Sequence, residues 1–270
     1  MELEVFFGYF GALVIGLVLG LTGGGGSILT VPVFVYILHI DPIMATAYSL
    51  FVVGSSSAVG AIEHFFKGRI DIKHSLVFSL PAVATIFVTR KYLLPGIPEQ
   101  IITGPSFHID KEMFIMTVFA VPMLAASLSM IMKKRVSQPL EIPSYRVPKS
   151  LLIILGGGTG LLTGLVGAGG GFIIVPFLMF FAKLGIKEAV GTSLFIISFN
   201  SLTGFLGDIG NTEMDWAFLL VFSLIAIVGV LLGISLSAHI DSARLKILFG
   251  WMVFAMGAYI LWQEFSAMFN

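Results

Sequence analysis

The chain has no cysteine and few charges: charged residues fill 11% of its 270 positions. Without cysteine, disulfides, thiolate nucleophiles and Cys-ligated metals are excluded. A soluble domain carries roughly a quarter charged residues, well above the share found here. The formal net charge is zero, so no basic or acidic surplus points to nucleic acid or to an acidic partner. No Lys or Arg precedes the first apolar run. The basic n-region of a secretory signal peptide is therefore missing, and that run is expected to persist as a span. Enzyme motifs are lacking too. There is no His-Glu-x-x-His helix, and no Gly-Lys-Ser/Thr follows either glycine cluster, as a phosphate-binding loop requires. Phe205-Leu206-Gly207-Asp208 approaches the intramembrane aspartyl protease signature but lacks its first glycine, and no second intramembrane aspartate is placed to pair with it. His39, His74, His108 and His239 lie in or near presumptive loops without metal-ligand spacing. Neither catalysis nor a metal or cofactor is expected.

What the chain has is apolar length. Hydrophobic residues make up 57% and the mean hydropathy is +1.02, so lipid is the expected solvent. A bilayer core of ~30 Å needs about 20 apolar residues per helix. Apolar runs fall at 5–21, 28–40, 43–66, 72–94, 113–132, 151–166, 172–184, 189–206, 216–238 and 245–265. They lack the period-two alternation of transmembrane strands. The fold expected is an all-α integral membrane protein of about ten hydrophobic segments. Two runs, 28–40 and 172–184, are short for a span, and each follows a glycine cluster, at 23–26 or 169–171. A short helix entered from unwound glycines is the pattern of a broken or re-entrant membrane helix.

The two clusters belong to a repeat. Gly20-Leu-Thr-Gly-Gly-Gly-Gly-Ser-Ile-Leu-Thr-Val-Pro32 matches Gly164-Leu-Val-Gly-Ala-Gly-Gly-Gly-Phe-Ile-Ile-Val-Pro176 at an offset of 144 residues. The same register pairs Ser49-Leu50-Phe51 with Ser193-Leu194-Phe195, Ser57 with Ser201, Gly60 with Gly204 and Asp71 with Asp215. It ends with Val77-Phe78-Ser79-Leu80 against Val221-Phe222-Ser223-Leu224. A ladder in one register is a tandem duplication. The first repeat spans 1–132, a basic, proline-containing linker 133–149, and the second repeat 150–270. Charge bias orients them. Lys67, Arg69 and Lys73 make one loop basic, whereas the matching loop carries Asp208, Glu213 and Asp215. Under the positive-inside rule the first loop and the linker are cytoplasmic and the second loop external, as are both termini. Repeat-mates then face opposite sides, which makes the repeats inverted. Arg90 and Lys91 fit poorly, since they would end a span externally.

Glycine inside a membrane helix costs roughly 0.8–1 kcal/mol per residue. One compensation is a binding site. Helix N-termini at about Ser27 and Phe172 would present unpaired N–H groups and about half a positive charge each, together an anion site without a buried cation. The other is close helix packing, as in small-xxx-small patterns. The third helix of each half is polar, with Ser49, Ser55, Ser56 and Ser57 in one and Thr192, Ser193, Ser198, Asn200, Ser201 and Thr203 in the other. Hydroxyls can bond the preceding turn. The Asn200 amide must find a partner on another helix or on a ligand. Glu63, His64 and Asp208 are candidates for proton relay, or else interfacial anchors.

Gly-x-x-Gly-x-Gly-Gly-Gly-x-x-x-Val-Pro from Gly164 to Pro176, its near copy from Gly20 to Pro32, and Gly191-Thr-Ser-Leu-Phe195 resemble the sulfite exporter TauE/SafE family of membrane transporters. The likeness extends over nearly the whole chain. It implies transport of small sulfur-containing anions such as sulfite or organosulfonates, sulfoacetate among them. It implies a site lined by Gly23, Gly24, Gly25, Gly26 and Ser27 and by Gly167, Gly169, Gly170 and Gly171, with Ser49, Thr192, Ser193 and Asn200 nearby. Tyr48 departs from the family's Thr-Ser-Leu form, which the second half keeps at Thr192. The expected function is a secondary carrier in the cell (inner) membrane, exporting by alternating access. Its expected partners are a small anion and the bilayer. A passive anion channel and a partner-dependent membrane component are the alternatives, and a homo-oligomer stays open.

Overall fold

The computed structural model describes residues 2–103, 108–132, 149–180, 182, 184–210, 214–237 and 242–268. Residues 133–148 of the 133–149 linker, and Lys183, Glu213 and His239, lie outside the described residues.

The expected segments are all helices. In the first half they are α1 (Glu2–Thr22), α2 (Ser27–Pro32), α3 (Pro42–Phe66), α4 (Ile72–Val88), the single turn α5 (Leu94–Gly96) and α6 (Lys111–Met132). In the second half they are α7 (Lys149–Val166), α8 (Gly171–Phe180), α9 (Ile186–Asp208), α10 (Trp216–Leu236) and α11 (Ser242–Met268). Six helical stretches among the described residues have the length and apolarity to cross a bilayer: Glu4–Thr22, Pro42–Phe66, Ile72–Gly96, Lys111–Leu128, Ile186–Asp208 and Trp216–Leu236. Among the described residues, the sheet that departs from an all-helical chain is a small antiparallel hairpin, β1 (Gln100–Thr103) with β2 (His108–Asp110), between α5 and α6.

Two helices widen into π turns. Pro32 has no N–H to donate, and α2 continues through Val33–Ile37 as a π segment, with the Leu38 N–H reaching the Val33 carbonyl at 3.1 Å. The second π turn, Thr89–Leu93, prolongs α4 into α5.

Polarity is turned outside in. Ser27, Thr30, Ser49 and Asn200 are wholly buried, while Leu80 and Ile154 are each 69% exposed and Leu224 62%. Such an apolar exterior suits lipid and would be a severe liability in water.

The two halves interleave. α1 packs on α10 and α7 on α4, so each repeat lends its first helix to the other's fourth. α3 and α9 lie against each other at the centre, antiparallel: Gly54 faces Leu202, and Gly191 faces His64 at one end. Contacts recur with the halves exchanged. A Cβ at Gly16 would strike the Ala226 carbonyl, and one at Gly160 the Ala82 carbonyl. Gly60 faces Leu194 and Val230, while Gly204 faces Leu50 and Ile86. Partners in each pair differ by the offset of 144 residues seen in the sequence. An approximate two-fold axis between the halves produces this pattern.

Candidate functional site

The axis brings the two glycine turns together. A Cβ on Gly24 would lie 2.6 Å from the Gly171 backbone, and one on Gly171 2.5 Å from the Gly24 Cα. Main chain meets main chain there, and no side chain larger than hydrogen fits. Gly23 and Gly167, repeat-mates, share a left-handed φ of +74°, a conformation that favours glycine. Gly23 presses on Val190 and Ser193 of α9, Gly167 on Thr46 of α3. The exchange relation holds here too, for Thr46 and Val190 are 144 residues apart.

The first turn is tied down locally. The Ser27 hydroxyl donates to the Gly24 carbonyl at 2.7 Å, and the Gly25 N–H donates to Thr22 Oγ1 at 3.0 Å. Gly26 packs on α1 at Ile15 and Leu19. The Ser193 hydroxyl donates across the interface to the Gly23 carbonyl, and also to its own Val190 carbonyl. The second short helix starts at Gly171, one residue before the expected Phe172. Around its turn two hydroxyls lack partners. Ser201 Oγ borders Gly169 and Thr163 Oγ1 borders Gly170, and neither has a hydrogen bond. Asn200, beside Ser201 on α9, is fully buried with both amide atoms unpaired. Ser49 and Ser57 of α3 are likewise buried and unpaired. Buried polar groups are nearly always satisfied, so the orphaned Ser201 and Thr163 beside this turn mark a place where polar atoms from elsewhere would be welcome.

Tyr48 and Thr192 share one task. The Thr192 hydroxyl accepts the Asp71 N–H at 3.0 Å, and the Tyr48 hydroxyl accepts the Asp215 N–H at 2.8 Å. Asp71 and Asp215 are the N-caps of α4 and α10, their carboxylates accepting from the His74 and Phe218 N–H groups. The departure at Tyr48 is thus a longer arm doing the work of Thr192. Tyr48→Phe strands a backbone donor and is expected to lower stability by about 1–3 kcal/mol, read as a lower melting temperature in detergent, with transport KM little changed.

The three relay candidates are not brought together. Glu63 pairs with Lys67 one turn on, partly exposed. His64 is buried against Gly191, both ring nitrogens unpaired. Asp208 sits at the opposite end of the α3–α9 pair, beside Thr46's partner Arg90. Thr46 and His64 are separated by roughly 27 Å along α3. Among the described residues no cluster of His, Asp or Glu could hold a metal.

Arg90's partners are what sequence reasoning missed. The sequence puts it at the external end of a span, as an ionisable anchor or relay group, yet it is 1% exposed. Its Nη1 donates to Thr46 Oγ1 at 2.9 Å and lies 3.3 Å from Asp208. It rides on the π turn of α4, and such turns gather at functional positions. The signal was its misfit with the charge rule, together with its place inside the 72–94 run. A cavity of about 440 Å³, bordered by Glu99, Asp110, Lys111 and Glu264, lies away from the glycines at the β-hairpin.

Comparison with known proteins settles the kinship. The family model "Sulfite exporter TauE/SafE" matches residues 9–260. The chain belongs to that family. Among relatives, a "Probable membrane transporter protein" of Xylella fastidiosa is 26% identical over 261 residues, 94% of each chain. The "Probable membrane transporter protein YunE" of Bacillus subtilis is 24% identical over 265 residues, 93% of this chain and 95% of the relative. A probable membrane transporter protein of Methanocaldococcus jannaschii is 36% identical over 116 residues, 41% of this chain and 43% of its own. No solved structure matches the chain. This TauE/SafE member is therefore a multi-pass protein of a transporter family, and the family and relatives carry transporter names rather than enzyme names.

Proposed function

We propose that this TauE/SafE protein is a secondary carrier of small sulfur oxyanions, sulfite or an organosulfonate such as sulfoacetate. The observation that carries the reading is the meeting of the two glycine turns at Gly24 and Gly171, edged by the unpaired Ser201 and Thr163. A pyramidal or tetrahedral anion with several acceptor oxygens suits hydroxyl, amide and backbone N–H donors. Each helix end adds ~0.3–1 kcal/mol, up to about 2 when partly buried, which favours modest affinity and ready release. Membership of a family described as sulfite exporters supports this substrate class.

The mechanism proposed is alternating access. The repeats are inverted across the cell membrane, with both termini external, and rocking about the central contact opens one end as it closes the other. No ATP-binding motif is present in the sequence, so a gradient drives transport. An inside-negative potential favours anion exit by ~2.3 kcal/mol per charge per 100 mV, hence export. Exchange is the test. Unlabelled anion on the far side is expected to accelerate movement of labelled anion in proteoliposomes, and flux is expected to saturate. Unsaturable flux with single-channel currents would instead mark a passive channel.

A further inference from the structure

We propose that Arg90 is an oxyanion-binding residue, reading two anion oxygens with the free edge of its guanidinium. The inference rests on the carrier reading and adds to it a cationic contact that the glycine turns lack. Only one terminal nitrogen of the buried guanidinium is engaged: Nη1 bonds Thr46 and faces Asp208. Nε and Nη2 are buried with no hydrogen-bond partner. These two nitrogens form one edge of the planar group, the fork that matches two oxygens of a single sulfite, sulfonate or carboxylate. A buried cation with two of its three nitrogens idle is costly unless something completes it, and within a membrane segment an ionisable group is a functional position by default.

The position fits as well. Thr46, which takes the Nη1 bond, is the residue against which Gly167 turns, and the Arg90 Cβ faces Gly207 on α9. The fork therefore sits at one end of the glycine crossing, between α3, α4 and α9. The two-fold axis supplies no second cation. The repeat-mates of Arg90, Thr46 and Asp208 are Ile234, Val190 and His64, and all three are buried. One end of the crossing thus holds a buried ion pair, while at the other the buried position is His64, and the neighbouring Glu63, Lys67 and Arg69 are not buried. A buried cation at one end only lets the anion pause at a defined stage of its passage. Asp208 positions the guanidinium through Nη1, and its charge opposes the incoming anion, which keeps release easy.

The test is equilibrium binding of labelled sulfite and of methanesulfonate to purified protein in detergent, with size-exclusion profiles and melting curves for every variant. Arg90→Gln and Arg90→Lys are expected to weaken binding about tenfold or more, Lys because it keeps the charge but loses the fork. Asp208→Asn is expected to bind more tightly than wild type, a gain that a merely structural pair would not give. The neutral double variant Arg90→Gln/Asp208→Asn keeps the shape of the pair, and it is expected to fold and to bind as weakly as Arg90→Gln. A folded Arg90→Gln or double variant that binds like wild type overturns the assignment and leaves the carrier reading standing. A folded wild type that binds neither anion, and transports none, removes the carrier reading and this inference with it.

Discussion

Gly24→Val and Gly171→Val are each expected to abolish transport and to leave little folded protein. Both positions hold backbone against backbone. The added Cβ would stand 2.5–2.6 Å from main-chain atoms of the opposite turn, and main chain cannot swing aside as a side-chain tip can. Overpacking a tight interior costs about 1–3 kcal/mol, occasionally more. Here the strain falls on the contact that joins the repeats, and even Gly24→Ala is expected to be defective. Gly68, where an added Cβ meets nothing within 4 Å, is the control: Gly68→Ala carries only the strain of its φ of +64° and should retain flux. Yield, melting temperature and proteoliposome flux measured together separate these outcomes. Wild-type behaviour of Gly24→Val would mean that the turns do not meet as described.

The second large effect concerns the buried ion pair. Arg90→Ala leaves the Asp208 carboxylate inside without its guanidinium, and removing one partner of a buried pair costs about 3–5 kcal/mol. Neutralising both members as Arg90→Gln/Asp208→Asn should recover much of that loss, since an amide pair of the same shape has no charge to desolvate. The double-mutant cycle is read from melting temperatures in detergent. Additive losses would show that the two groups do not interact, against the 3.3 Å contact.

The sequence made the helices legible because lipid demands long apolar runs, and their limits agree with the structure to within a few residues, as at 43–66 against Pro42–Phe66 and 216–238 against Trp216–Leu236. The 144-residue register was legible because duplicated turns keep their glycines, and the same offset reappears in Gly23–Val190 and Gly167–Thr46. Three features were hidden. Arg90 and Asp208 are 118 positions apart in the chain, and no local spacing announces a pair made by interleaving α4 with α9. The hydroxyls of Thr192 and Tyr48 read as pocket lining or as an irregularity, because their acceptor role depends on helices brought in from the other repeat. The β1–β2 hairpin follows from short extended segments that carry little periodicity. The glycines themselves supported two readings, site and packing. At Gly24 and Gly171 the close approach is plain, and the unpaired Ser201 and Thr163 beside Gly169 and Gly170 are what packing alone leaves unexplained.

The central claim, that this chain moves a small sulfur oxyanion through the glycine crossing, is tested most directly by uptake of labelled sulfite, sulfate, taurine and sulfoacetate into proteoliposomes, wild type beside Gly25→Val/Gly169→Val. Saturable flux of a sulfur oxyanion, lost in the folded double variant, is the expected result. Absence of flux for every anion, with well-folded wild-type protein, would contradict it.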